Sequence, residues 1–265
     1  MIRKPISNKM YWAFAALSVA ILILAYSYMS HRQKLRNPKD TTIPNATQFV
    51  EGVKQMTKVN AAGESWLWED LKATYTRHFL GMLCGVVLSL VVGMLMGCFP
   101  KCAAFFELPL SWLAKVPPTA MIAVYFVLFG TELKMFVAMI ALGIFPTLAW
   151  AIYQAAKKDV SDHAVYKAYT LGASNSEVIY NVVFMQVLPR IIENVRLMLG
   201  PAMVFLIAAE WMMADVGFGY RLRIQSRLLN MNVVYTYLIL LGVVGYFMDW
   251  SLSKLRKKLC PWFGE

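Results

Sequence analysis

Ionisable side chains set within apolar runs are the residues of this sequence with chemistry to do. Lys115, Glu193, Arg196, Glu210 and Asp249 lie inside or beside long stretches of Leu, Ile, Val, Phe and Met. A charge in such a stretch is costly unless it pairs or faces water, so each marks a structural pair or a polar route. Glu193 and Arg196 are three residues apart and can meet on one helix face, or simply lie at an interface. Glu210 reads either as a gate or path residue or as a structural pair, with an arginine of the following loop as its partner. His31, His78 and His163 are scattered. Cys98 and Cys102 share an i, i+4 spacing, but no further Cys or His completes a ligand set, so no metal site is expected. Neither H-E-x-x-H nor G-x-x-x-x-G-K-[ST] occurs. No catalytic residue is expected, and no cofactor is expected in this chain.

The elements that carry these residues are membrane helices. Of the 265 residues 59% are hydrophobic, the mean hydropathy is +0.53, and a soluble domain has only about 45–50% apolar residues. Several runs exceed the roughly 20 residues that cross a bilayer. The formal net charge is +11, but the basic residues flank the apolar runs, which points to membrane lipid surfaces and not to nucleic acid.

The expected organisation is a cytoplasmic N-terminus (1–10), a retained first transmembrane helix (11–29) and an extracytoplasmic segment with an amphipathic helix (30–77). A transmembrane core (78–253) and a basic cytoplasmic tail (254–265) follow. The second span, 79–99, holds Gly81/Gly85 and Gly93/Gly97, two small-xxx-small pairs that let helices approach closely. Residues 103–129 are broken at Lys115-Val116-Pro117-Pro118. The prolines remove two donors, and open backbone at membrane depth is tolerated only against protein or a wet cavity. The break is therefore a hint of a transport path or an ordinary proline kink. Spans at 135–153, 191–213 and 233–252 complete a set of six with both ends cytoplasmic, although Lys and Arg are spread almost evenly over the two sides. Residues 160–169 suit a short helix, Gly172 a left-handed stop after it, and Ser174 or Asn175 a cap for the next helix.

Residues 162–189 read DHAVYKAYTLGASNSEVIYNVVFMQVLP. This resembles the "EAA" cytoplasmic loop of ABC importer permeases, the binding-protein-dependent transport inner membrane component family, in its nitrate/sulfonate/taurine-type branch. Ala168, Leu171, Gly172, Ala173 and Ser174 match the A-x-x-L-G-A-S core, and Leu188-Pro189 matches the branch's Leu-Pro. Tyr166 and Lys167 stand where the family has Glu and Ala, and Phe184-Met185 where many members have an upstream Leu-Pro. Ile43-Pro44-Asn45-Ala46, Lys115-Val116-Pro117-Pro118-Thr119-Ala120 with Phe129-Gly130, and Ala208-Ala209-Glu210 with Gly217-Phe218-Gly219-Tyr220 resemble further branch signatures in order.

The resemblance implies an all-α membrane protein of six transmembrane helices, with the type I ABC importer (MetI-like) permease fold and a cytoplasmic coupling helix. It implies a permease subunit in a bacterial cytoplasmic (inner) membrane. By this resemblance the chain works as a homodimer with a cytoplasmic ABC ATPase dimer, which binds ATP and Mg, and with an extracytoplasmic substrate-binding protein. Ala164, Tyr166, Lys167, Ala168, Leu171, Gly172, Ala173, Ser174, Leu188 and Pro189 would form the ATPase-coupling loop. Pro117, Pro118, Thr119, Ala202, Leu206 and Glu210 are candidates for the translocation path. The implied solutes are small sulfonate-, taurine- or nitrate-like anions, or thiamine-precursor-like heterocycles. A membrane-embedded enzyme would need a polar cluster that this chain lacks, and a structural or assembly membrane protein would leave the ordered motifs unexplained.

Overall fold

The computed structural model describes residues 6–37, 40–59, 63 and 65–263. Among them the secondary structure is helical except for an isolated bridge between Val59 and Ser65. Among the described residues five helices are long and apolar enough to cross a membrane, and a sixth crossing is made if one sharply bent pair is a single span. The chain divides into two compact units, residues 1–66 with 224–238, and residues 67–223 with 239–265.

In the first unit, α1 (Asn8–Arg36) starts where the Ser7 hydroxyl accepts from the Met10 N–H. It is apolar all round and largely exposed. It extends beyond the expected 11–29 at both ends. The chain returns along it through the Tyr26 hydroxyl, which donates to the Pro44 carbonyl at 2.8 Å, and the Ser30 hydroxyl, which donates to that of Ile43 at 3.0 Å. Asp40 accepts from the hydroxyl and N–H of Thr42 and from Gln33, and these bonds hold its carboxyl below the usual carboxylate range. Asn45 and Gln48 form a reciprocal capping box at the start of α2 (Ala46–Thr57). This amphipathic helix agrees with the spacing of Phe49, Val50, Val53 and Met56. Gly52 lies so close to the Asn232 carbonyl that a Cβ would stand 2.6 Å from its oxygen. Tyr26, Phe49 and Tyr235 form an aromatic cluster beside that contact.

The second unit is organised on α6 (Leu133–Lys158), whose Met135, Met139, Ile140, Leu148, Ala149 and Ile152 are fully buried. Its partner α3 (Trp66–Cys98) presents Gly81, Gly85, Gly93 and Gly97 to it. A Cβ on any of the four would fall within 2.4–2.7 Å of α6 atoms. Both small-xxx-small pairs therefore serve a single helix contact, with Ser89 donating to the Phe145 carbonyl between them. Helix α3 also runs unbroken through the expected boundary at 77/78. Asp70, Thr74, Arg77 and His78, the first three assigned by sequence to the segment outside the core, are turns of this helix.

Helix α4 (Pro100–Leu113) leads into the expected break. A 3-10 turn (Pro118–Met121) and α5 (Ile122–Phe129) leave it at 83°. The turn satisfies more backbone than the two prolines suggest. Lys115 donates to the Trp112 carbonyl, Val116 to that of Leu113 and Ala120 to that of Pro117. The segment expected to form the coupling loop comprises α7 (Asp162–Thr170), α8 (Asn175–Glu177) and a π-helical stretch (Val178–Phe184) that runs on into α9 (Met185–Met213). Leu188 and Pro189 thus lie inside a continuous helix and not before its start. The loop expected at 214–232 contains α10 (Phe218–Arg227), and α11 (Met231–Leu259) ends in Arg256, Lys257 and Lys258.

The glycine contacts give a paired prediction. Gly93→Ala places a methyl 2.7 Å from the Ala149 carbonyl oxygen, whereas Gly245→Ala on α11 meets open space. Gly93→Ala should cost about 1–3 kcal/mol, read as a lower melting temperature of the detergent-solubilised chain. Gly245→Ala should leave that temperature unchanged or higher.

Candidate functional site

Glu210 sits in the last turn of α9 with no exposed surface. Its carboxylate accepts from Arg77 at 2.7 Å, from the Thr74 hydroxyl at 3.0 Å and from the backbone N–H of Gly219 at 2.9 Å. Arg77 also donates to the Val216 carbonyl at 2.7 Å, and its guanidinium lies 4.2 Å from the ring centre of Phe136 on α6. One turn before Thr74, the buried Asp70 receives two bonds from Arg221, the closer at 2.7 Å, and one from the N–H of Gly217 at 3.0 Å. The N–H of Phe218 donates to Thr74 at 2.9 Å. Three successive backbone donors at the start of α10 are thus met by three side chains spaced along α3 and α9. Those donors have no partner within their own helix, and here the neighbouring helices supply it.

The glycines of this loop are explained by the same contact. Gly217 has φ +122°, and a Cβ there would stand 2.6 Å from the Glu210 carboxylate; one on Gly219 would stand 2.5 Å from the Ile207 carbonyl oxygen. Of the two sequence readings of Glu210, the structural pair describes its place. Its partner is Arg77, far back in the chain, and not an arginine of the following loop. Arg221 instead pairs with Asp70, and Arg223 donates to the Met212 and Ala214 carbonyls. Sequence reasoning missed Asp70, Thr74 and Arg77. Their i, i+4 and i, i+3 spacing was the available signal.

The path candidates divide. Ala202, Leu206 and Glu210 have no exposed surface and pack into the core formed with α6, so in this protomer they line no open route. The reason is the phase of the helix. The opposite face of α9 carries Gly200, Val204 and Trp211, and that is the face left open. Pro117 and Thr119 are exposed and Pro118 is half-buried. Pro118 and Phe205 both approach Gly143 of α6, at 3.1 and 2.9 Å from its would-be Cβ. The proline break and α9 therefore meet, beside a cavity of 380 Å³ that Tyr125 and Phe145 also line.

The α7–α8 segment has the expected turn chemistry. Ser161 caps α7 through the Ala164 N–H. Gly172 has φ +85°, and Ala173 donates to the Ala168 carbonyl and Gly172 to that of Tyr169, closing the helix. Ser174 and Glu177 form a capping box for the next helix. Ala164, Ala168 and Ala173 are half-buried. Leu171 (79% exposed) and Tyr166 (65%) project into the open, and Lys167 is exposed beside them. Leu188 is half-buried and Pro189 buried at the foot of α9.

Two ion pairs join that end of α9 to α11. Arg196 makes a bidentate contact with Asp249 at 2.9 and 2.8 Å, and Glu193 pairs with Arg256. Glu193 and Arg196 thus bind α11 and not each other. Among the described residues no group of His, Cys, Asp or Glu has the arrangement of a metal site.

Residues 82–259 match the family model described as the binding-protein-dependent transport system inner membrane component. The taurine transport system permease protein TauC of Escherichia coli is 27% identical over 223 residues, covering 84% of this chain and 81% of that protein. The putative aliphatic sulfonates transport permease protein SsuC of Bacillus subtilis is 27% identical over 262 residues, or 98% of this chain and 92% of that protein. Among solved structures, an inward facing conformation of the MetNI methionine ABC transporter superposes with a TM-score of 0.60 at 16% identity. The match covers 73% of this chain and 94% of that one, and it is a likeness of fold.

The buried network gives a double-mutant prediction. Arg77→Leu leaves the Glu210 carboxylate without its counter-charge and should cost about 3–5 kcal/mol of thermal stability in detergent. Arg77→Leu combined with Glu210→Leu removes both charges and should cost less than Arg77→Leu alone. A double variant as unstable as the sum of the single ones would show that the two groups are not coupled.

Proposed function

Because the chain belongs to the binding-protein-dependent transport system inner membrane component family, we propose that it is the permease subunit of an ATP-driven importer of a small sulfonate- or taurine-like solute. It is a multi-pass inner-membrane protein. Two copies enclose the route, a cytoplasmic ABC ATPase dimer binds ATP and Mg and drives the cycle, and an extracytoplasmic binding protein delivers the solute. The solute class follows the relatives, which are named for taurine and for aliphatic sulfonates.

The observation that carries this reading is the α7–α8 element. It is a short capped helix, a left-handed glycine turn and a second capped helix, with Tyr166, Tyr169 and Leu171 exposed on it. Exposed aromatic and aliphatic side chains on a rigid, well-capped turn suit a groove on a partner, and a solvated connection has no use for them. The second cap leads through the π stretch directly into α9, so a push on α7 is delivered to the span with the open face. Solute then moves along the Gly200, Val204 and Trp211 face and past the Pro117–Pro118 break, and Glu210 holds the far end of α9 in place. Tyr166 and Lys167 replace the family's Glu and Ala on the exposed side of α7, where they alter contacts with a partner and leave the turn itself intact.

Gly172→Val forces a β-branched residue into the left-handed region at about 1 kcal/mol or more. It should lower solute uptake and uncouple it from ATP hydrolysis while the protein still inserts in the membrane. Uptake at the unsubstituted rate would refute a coupling role for this turn. Sidedness is checked with a membrane-impermeant thiol reagent. In a background lacking the native cysteines, Ser174→Cys should label from the cytoplasm and Leu228→Cys from the opposite face, and labelling of both from one face would overturn the arrangement.

A further inference from the structure

A cavity of 660 Å³ lies between α3, α9 and the second half of α11. Its walls are apolar along most of their length, with Met203, Ile207 and Leu241 among them, and it runs from Arg196 to Trp211, about 22 Å along α9. One end holds the Arg196–Asp249 pair. The inner wall holds His78, which is fully buried, and neither of its ring nitrogens has a hydrogen-bond partner. His78 follows Arg77 on α3, at the end of that helix where its uncharged apolar run begins.

A neutral imidazole carries one donor and one acceptor. Leaving both unmet in the interior of a membrane protein is costly, and ionisable groups on membrane helices commonly face cavities and mark solute routes. The ionic neighbour on its own helix, Arg77, is already committed to Glu210. A lipid tail filling this cavity would leave His78 as unsatisfied as it is now. A small solute with an oxyanion head and an apolar body would accept from the imidazole and lie against Met203 and Ile207.

We propose that this cavity is a solute-binding station within the permease and that His78 recognises the oxyanion head of the transported molecule. The proposal rests on the importer reading above and adds to it the place of contact and the recognising group. The Arg196–Asp249 pair closes the end of the station nearest the coupling segment.

The test uses the full-length chain in the assembled transporter, with the four native cysteines replaced by serine. Val204→Cys reports on the cavity wall, and Leu228→Cys serves as an exposed control. The probes are 2-sulfonatoethyl methanethiosulfonate, itself a small sulfonate, and its trimethylammonium counterpart. Val204→Cys should react with both, and the ratio of anionic to cationic rates should exceed that at Leu228→Cys. His78→Leu should lower this ratio about tenfold, the factor for one hydrogen bond to a charged group, and His78→Asn, which keeps a donor, should retain most of it. An inert Val204→Cys beside a reactive control means that a lipid or a second copy fills the cavity, and it overturns the proposal. So does a ratio no higher than the control's with His78 in place, a readout that does not depend on any His78 variant folding. ATP-dependent uptake of taurine and hexanesulfonate is followed in the same cells. Uptake that persists with an inert cavity overturns this inference alone, whereas loss of ATP-dependent uptake in the His78 background counts against the importer reading itself.

Discussion

A carboxylate at the end of a membrane helix has to be neutralised, and the manner in which Glu210 meets that requirement sets much of the surrounding architecture. Its counter-charge, Arg77, comes from α3, and its other donors are Thr74 and the Gly219 backbone. To supply them α3 must extend well past the purely apolar part of its sequence. The loop after α9 must in turn fold back with two glycines where any side chain would strike the carboxylate or the helix behind it. Asp70 and Arg221 repeat the arrangement one turn further out. A buried pair of this kind adds little net stability compared with apolar packing, but it strongly penalises every arrangement that separates the partners. It therefore fixes register: α3, α9 and α10 can combine in one way only.

The helix contact on the other half of α3 works by the opposite means. Gly81, Gly85, Gly93 and Gly97 contribute no side chain, and their value lies in letting two backbones approach until α6 side chains fill the groove. One long helix is thus held by ion pairing at one end and by close apolar packing along the remainder. The first mode specifies partners and the second supplies contact area.

Much of the fold was legible in the sequence because membrane spans, glycine spacing and capping residues are local signals. The apolar runs located every long helix, the glycine pairs anticipated a close helix contact without naming α6 as its partner, and Gly172 and Ser174 anticipated the turn between α7 and α8. The proline pair located the 83° bend, though the 3-10 turn there satisfies carbonyls that the prolines alone would have left open. What could not be read was long-range. Asp70, Thr74 and Arg77 look solvated when hydropathy decides where a span begins, since only their partners, more than 130 residues later, make them buried. The fifth span around Ala202, Leu206 and Glu210 is a path candidate on the resemblance and on the cost of its carboxylate, neither of which says which residues of the helix face the core. Which face of α9 is open depends on the phase of the helix against α6, and composition does not carry that. Neither the π stretch nor the continuity of the helix through Pro189 had any local marker.

That π stretch has a mechanical consequence. Its hydrogen bonds reach one residue further back than those of an α-helix, so seven residues between the Gly172 turn and α9 complete fewer turns than α geometry would give them. Rewinding even part of the stretch would rotate every residue beyond it about the helix axis while lengthening the segment slightly. A displacement at one end of such an element emerges at the other as torsion. A small axial displacement of the Gly172 turn would thereby be geared into a change of which side chains α9 shows to its surroundings, with no bond broken in α9 itself.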